Sequence, residues 1–250
     1  MPRTARRKST TGIYHIILRG INRQAIFSDE EDNEEFLKIM ADCKKLSGYK
    51  LFGYCLMGNH VHLLIKEERE ELGQIIKRIG SRYVYWYNWK YKRSGHLFQD
   101  RFKSEVVESD AYFLTALRYI YQNPLKAGLS KTLEAYKWSS YKDYIGNPCI
   151  TDVDFALDMA GKEALIKYMN ETNDDKSLEL EEERIRLTDN ELTEKIAKIF
   201  KIRPMMIQKE PKEKRDAMLT EILKKEGISA RQLSRVTGIS ANIIWKLQSK

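Results

Sequence analysis

The sequence predicts an α+β fold: a ferredoxin-like antiparallel sheet with packed helices, followed by an all-α C-terminal domain. Three observations predict it. Hydrophobic patterns alternate as strand, helix, strand, strand, helix, strand, helix through residue 122. The turn pair Gly58-Asn59 separates two apolar runs, as in a tight hairpin. An acidic stretch from Glu171 to Glu194 then interrupts the pattern, and helical periodicity resumes after it. The expected organisation is a domain over residues 1–170, an acidic linker over 171–194 and a helical domain over 195–250.

The first 12 residues hold Arg3, Arg6, Arg7 and Lys8 and no acid, so they read as a flexible arm able to touch phosphates. Residues 13–20 are rich in β-branched and aromatic types and read as a first strand. Ser28 is the expected N-cap of a helix carrying Phe36, Ile39, Met40 and Cys43 at helical spacing and ending at Gly48. Lys50–Met57 and the run from His60 form the hairpin. Residues 70–92 form a long helix whose later part mixes Lys and Arg with Tyr and Trp, a combination suited to nucleic acid. Phe102–Glu108 is the next strand. Ser109-Asp110 starts a helix that Asn123-Pro124 is expected to end near Gln122. Short helices are expected around 131–144 and 152–170.

The segment 171–194 contains ten acids and few apolar residues, hence the linker assignment. Beyond it, Leu192, Ile196, Ile199 and Phe200 form one apolar stripe, and Met218, Leu219, Ile222 and Leu223 another. Ser229 and Ser240 each precede a short helix, with Gly238 between them and Ile243, Ile244 and Leu247 expected inward. This is the helix-turn-helix pattern. A small bundle without DNA contact fits the same residues.

Composition narrows the function classes. The 250 residues carry 44 Lys and Arg against 36 Asp and Glu, a net charge of +8. A polyanionic partner such as nucleic acid fits that balance; solubility alone is the simpler alternative. The three cysteines, Cys43, Cys55 and Cys149, form no C-x-x-C pair and give no disulfide framework, which fits a reducing cytoplasm. The basic N-terminus lacks the apolar run of a signal peptide, and no run is long enough for a membrane span.

The chemistry centres on Asn59-His60-Val61-His62-Leu63-Leu64-Ile65. Side chains alternate along a strand, so His60 and His62 share one face and Val61, Leu63 and Ile65 the other. Two imidazoles on neighbouring same-face positions can grip one metal ion. Tyr119 and Asn123 lie four apart on the later helix, hence on one side of it. The Asn123 amide oxygen can complete a site begun by the histidines, leaving positions open for substrate. Mixed nitrogen and oxygen donors suit Mg²⁺ or Mn²⁺ acting on phosphate. Tyr119 would then be the nucleophile and a DNA phosphotyrosine the product. Tyr121 competes for that role but faces away from Tyr119.

These segments carry a resemblance. NHVHLLI followed by RYIYQNPLKAG resembles the HUH single-strand nucleases, and more narrowly the REP-associated tyrosine transposases. YHIILRGINRQAIF, GHLFQDRFKS and YKWSSYKDY resemble segments of the same family, so the similarity covers about residues 10–146. It implies cleavage and rejoining of single-stranded DNA at palindromic hairpins through a 5′-phosphotyrosine, with Mg²⁺ or Mn²⁺. By motif position His60 and His62 correspond to the metal histidines, Tyr119 to the nucleophile and Asn123 to the third ligand. The acidic stretch and the C-terminal helices lie outside the resemblance.

Further DNA contacts are expected from Arg7, Arg19, Asn22, Arg23, Arg101, Lys103, Arg235 and Asn242. Each has a plain alternative as a turn, tail or surface residue. His15 reads as a buried core histidine, and Trp138-Ser139-Ser140-Tyr141 as a packing corner. The main expectation is a metal-dependent enzyme on single-stranded or hairpin DNA, working as monomer or homodimer. The rivals are a DNA-binding regulator that keeps the fold without cutting, and an RNA-binding protein using the aromatic helix.

Overall fold

β1 (Ile13–Arg19) runs through the middle of the sheet, and all but its last residue are buried. The computed structural model describes residues 6–99, 101–172, 189–223 and 228–248. The chain divides into two compact units, Met1–Glu179 and Leu180–Lys250.

In the first unit β1 leads through a short turn into α1 (Glu30–Ser47). A hairpin of β2 (Lys50–Met57) and β3 (His60–Lys66) follows, then α2 (Leu72–Lys90), β4 (Lys103–Val106) and α3 (Asp110–Lys126). The strand order is β2-β3-β1-β4, with every neighbouring pair antiparallel. This is the ferredoxin-like arrangement that the element order predicts. Strand alternation sends Tyr14, Ile16, Leu18, Val61, Leu63 and Ile65 into one core with residues of α1 and α2. It sends Ile13, Cys55, Met57 and Leu64 into a second core with α3 and the helices beyond it. The sheet is therefore covered on both faces. α4 (Tyr141–Ile145), α5 (Asp154–Ala160) and α6 (Lys162–Asn170) complete the unit.

Several local expectations change. The N-cap of α1 is Asp29, not Ser28: its carboxylate accepts from the Asp32 amide, and Asp32 accepts from the Asp29 amide, a closed capping box. Ser28 donates its amide to Asp32 instead. Gly48 ends α1 in the left-handed region, as expected.

α3 does not stop before Pro124 but continues to Lys126. A proline so near a helix end loses one backbone bond, to the carbonyl four residues back. The amides of Ala127, Gly128 and Leu129 close the end onto Asn123, Leu125 and Pro124 carbonyls. Residues 131–140 are not helical. They reach the free edge of β2, where Leu56 donates to Trp138 O and Ser140 donates to Tyr54 O. Ser140 Oγ also accepts from the Tyr54 amide, so the corner packs as expected.

Residues 6–12 do not hang free: the Arg6 guanidinium lies 3.6 Å from the Phe102 ring centroid, and Thr10 bonds Glu108. Residues 1–5, with Arg3, fall outside the described residues.

The second unit contains α7 (Asp189–Phe200), a 3₁₀ turn (Pro204–Lys209), α8 (Lys212–Leu223), α9 (Ala230–Thr237) and α10 (Ala241–Gln248). α7 begins inside the acidic stretch, of which 173–188 lie outside the described residues. Leu192, Ile196, Leu219, Ile222, Leu233 and Ile244 form its core. Ser229 caps α9 through the Gln232 amide, and Gly238 ends it. Ile243 is exposed rather than inward, because Ile244 takes the buried position next to it.

Candidate active site

The site begins with register. Arg19 pairs with His60 and Ile17 with His62 across β1 and β3, so all four face the α3 side of the sheet. His15 sits one step along the same face, opposite Leu64. His62 and His15 are fully buried, and His60 is half-buried. Both metal-candidate histidines lie on an interior strand, as the alternation predicts.

Each ring is oriented by its Nδ1. His60 Nδ1 is 2.7 Å from Asn59 Oδ1, and Asn59 Nδ2 donates to the Arg23 carbonyl at 3.3 Å. An amide oxygen only accepts, so His60 carries its proton on Nδ1 and its lone pair on Nε2. His62 Nδ1 is 3.0 Å from His15 Nε2. The tautomer with the proton on His62 Nδ1 leaves a lone pair on Nε2. That Nε2 is buried and has no hydrogen-bond partner. An unmatched buried polar atom is costly, and a bound cation removes the cost.

Electrostatics keep the lone pairs free. Burial lowers the His15 pKa to about 3. Burial, helped by the Arg19 charge, lowers His60 to about 4. Burial and the two neighbouring imidazoles hold His62 well below the usual histidine value. All three are neutral at pH 7, the form that ligates metal.

α3 brings Tyr119 to the histidines. Its ring meets His62 edge-on at 5.8 Å between centroids and His15 at 5.9 Å. The approach depends on Gly53 in β2, beside a register shift: a Cβ there would stand 2.7 Å from Leu117 Cδ1 of α3. Lys126 Nζ lies 5.3 Å from the Tyr119 ring centroid. Asn123 stays on α3, and its Nδ2 donates to the Tyr119 carbonyl at 2.7 Å. That commitment leaves the amide oxygen as the head able to meet a cation. Tyr121 is buried on the other side, with its hydroxyl 2.8 Å from Ser140 Oγ. Burial pushes its pKa far up, which disqualifies it as nucleophile.

The residues fit a divalent cation held by two imidazoles and an amide oxygen. No cluster of three or more His, Cys, Asp or Glu placed to hold a metal occurs among the described residues. Asn123, the expected third donor, lies outside those four residue types.

The other expected DNA contacts fall in different places. Arg19 stands beside His60. Asn22 and Arg23 form an exposed turn at φ 51° and 58° that folds around the β2–β3 hairpin. Gly20 donates to Asn59 O there, and Ile26 to Gly58 O. Lys103 pairs with Ile17 and so also faces the histidine side, while Arg101 is exposed just before β4. Arg7 is exposed and influences Glu108, near the end of β1 away from His60. In the second unit Asn242 is exposed in the first turn of α10, and Arg235 is held by both oxygens of Asp189. His15, Asn59 and Lys126 were not visible as site residues in the sequence. Each has a local explanation there, as core, turn and surface residue, and only the fold gathers them.

Residues 8–123 match the family described as IS200-like transposase. A solved REP-associated tyrosine transposase bound to a REP hairpin is similar in fold. Its TM-score is 0.52 at 15% identity, over 61% of this chain and 93% of that one. A candidate transposase from Deinococcus radiodurans R1 aligns at TM-score 0.35 and 18% identity, over 48% of this chain and 95% of that one. No curated protein sequence matches the chain. Among the described residues no helix is long and apolar enough to cross a membrane.

Proposed function

We propose, from the match of residues 8–123 to the IS200-like transposase family, that the chain is a transposase of that kind and cleaves and rejoins single-stranded DNA at hairpins through Tyr119. The observation that carries this reading is the buried, unpartnered Nε2 of His62, on a ring in edge-on contact with Tyr119. Core packing alone has no use for that orphan atom; a cation site beside a nucleophile does.

In the proposed reaction the Tyr119 phenolic oxygen bonds to phosphorus as the bond to the 3′ oxygen breaks. The phenolic proton passes, in net, to that 3′ oxygen. The products are a free 3′ hydroxyl and a 5′ phosphate joined to the enzyme. The reverse attack reseals the strand. Phosphotyrosine retains the energy of the phosphodiester, so rejoining needs no further energy source. Mg²⁺ or Mn²⁺ bound by His60, His62 and Asn123 would polarise the phosphodiester and neutralise charge in the transition state. Lys126, whose Nζ lies 5.3 Å from the Tyr119 ring centroid, would add positive charge beside the reacting phosphate. In this reading Arg19 and Lys103 would meet phosphates on the histidine side, and Asn22 and Arg23 would meet the DNA at the turn. Arg101, exposed just before β4, and Arg7, at the other end of β1, would make further phosphate contacts.

The test is a denaturing gel of protein with labelled hairpin DNA and Mn²⁺. Wild type should give a covalent band that Tyr119→Phe abolishes and His60→Ala strongly reduces. A band persisting in Tyr119→Phe would sink the assignment.

The second reading is a regulator that binds hairpins without cutting. The two short helices joined at Gly238 favour it, since they have the helix-turn-helix pattern with Asn242 exposed. It predicts binding that survives EDTA and no adduct with any hairpin. In either reading the C-terminal helices are proposed as a separate DNA-binding domain, in a monomer or a homodimer.

A further inference from the structure

α2 carries a feature that the cleavage site does not use. Tyr85 and Trp89 lie four apart on one helix face and are 79% and 74% exposed. Large aromatic side chains are seldom left so open to water without a partner. The residues around them are selected for one sign of charge: from Leu72 to Gln99 there is no Asp or Glu, against six Lys and Arg. Two of the six are ion-paired, Arg78 with Glu70 and Lys90 with Asp29, Glu31 and Asp32; Arg93 lies over the Tyr87 ring at 5.5 Å, and Arg82 meets the Cys43 thiol. Lys77, Arg82 and Lys92 are exposed on or next to the aromatic face.

The helix that carries this face is packed against the turn beside the histidine hairpin. The turn that wraps the histidine hairpin rests on the loop following α2: Ile21 donates to Leu97 O, and Gln99 donates to Arg19 O. Tyr83 and Tyr87 of α2 donate their hydroxyls to the Ile26 and Ala25 carbonyls of the same turn. Asn88 ties the loop back to the helix through Gly95 O. These contacts hold the C-terminal half of α2 beside the turn that carries Arg23, with Tyr85 and Trp89 on the outer side of the helix.

We propose that the α2 face is a second binding site for unpaired DNA, where successive bases stack on Trp89 and Tyr85 and the backbone runs along Arg82 and Lys92. The occupant is single-stranded because a base must be unstacked from its partner to lie on an exposed ring, and aromatic rings with flanking cations bind such strands with little sequence preference. The site lies on the sheet face opposite the histidines. It holds the flank of the substrate rather than the scissile phosphate. The inference rests on the DNA-processing reading above, and its test separates the two.

Binding of the full chain to a fluorescent oligothymidine and to a blunt hairpin lacking unpaired flanks is compared by anisotropy. Tyr85→Ala with Trp89→Ala should weaken oligothymidine binding by roughly tenfold or more. The blunt hairpin should bind as before, and Trp89→Phe should keep most of the affinity. Arg82→Gln with Lys92→Gln should lower the salt slope for the single strand by about 0.7 for each phosphate that is no longer neutralised. Unchanged oligothymidine affinity in the double alanine variant overturns the proposal, as does a wild type that does not bind oligothymidine. A wild-type dimer that this variant converts to monomer also overturns it, since the face would then join two copies of the chain. Failure of the Tyr119 adduct with these affinities intact would overturn the cleavage reading alone.

Discussion

His15 Nε2 lies 3.0 Å from His62 Nδ1, joining β1 to β3 through two fully buried imidazoles. With the proton on His62 Nδ1, His15 is the acceptor, and the nitrogen left with a lone pair is Nε2, the buried atom without a partner. Replacing His15 by Leu removes the acceptor and leaves the His62 N–H unmatched. Mn²⁺ affinity should fall by about 10- to 100-fold, the usual effect of losing a partner of a ligating histidine. Calorimetric titration of Mn²⁺ checks this, and His15→Gln, which offers an amide oxygen, should recover part of the loss. Equal affinity in His15→Leu would mean that the pair is only packing.

Asn59 does the corresponding work for His60 and is itself fixed by the Arg23 carbonyl. Asn59→Ala should lower Mn²⁺ affinity by about tenfold. Asn59→Asp keeps an acceptor for the imidazole and should lose less. If the two variants lose equally, the bond to Arg23 rather than the ring orientation is what matters.

Gly53 lets α3 come down onto the sheet. In Gly53→Ala the new methyl would stand 2.7 Å from Leu117 Cδ1 and 3.1 Å from the Tyr121 hydroxyl, both on fully buried side chains. Overpacking of this kind costs about 1–3 kcal/mol. Urea denaturation should show the loss, and adduct formation should fall further than stability accounts for, because α3 carries Tyr119. A stable and fully active variant would show that the helix has slack.

Three neutral buried histidines also predict acid sensitivity without metal. Their folded pKa values lie below the unfolded value near 6.5, at about 4 for His60 and about 3 for His15. The unfolded chain therefore binds more protons below pH 6.5. The stability that these groups contribute is complete above that pH and is lost as pH falls towards the folded values. The slope is on the order of 1 kcal/mol per pH unit for each histidine. Urea midpoints in EDTA at about pH 7, 6 and 5 measure it. Flat midpoints across that range would contradict the burial of the site.

Local pattern carried much of this into the sequence. The Gly58-Asn59 hairpin, the shared face of His60 and His62, and the placing of Tyr119 and Asn123 on one helix side all follow from periodicities of about two and 3.6. What stayed hidden depends on residues distant in the chain. Nothing near His15 marks it as a partner of His62, because β1 and β3 become neighbours only after the crossover through α1. The reach of α3 past Pro124 depends on how its last carbonyls are satisfied beyond Lys126. The competition between Ser28 and Asp29 for the cap was settled by Asp32, which bonds both amides.

β1 and β3 are the two interior strands of the sheet, and between them they hold His15, His60 and His62. Amides in such strands exchange with solvent only when the whole unit opens. The histidine cluster therefore has the lifetime of the domain itself. A locally frayed molecule keeps the three imidazoles in place, and one that has lost them has lost the sheet. For a protein that would hold a broken DNA strand between two chemical steps, this arrangement leaves no long-lived species with the tyrosine present and the ligands dispersed.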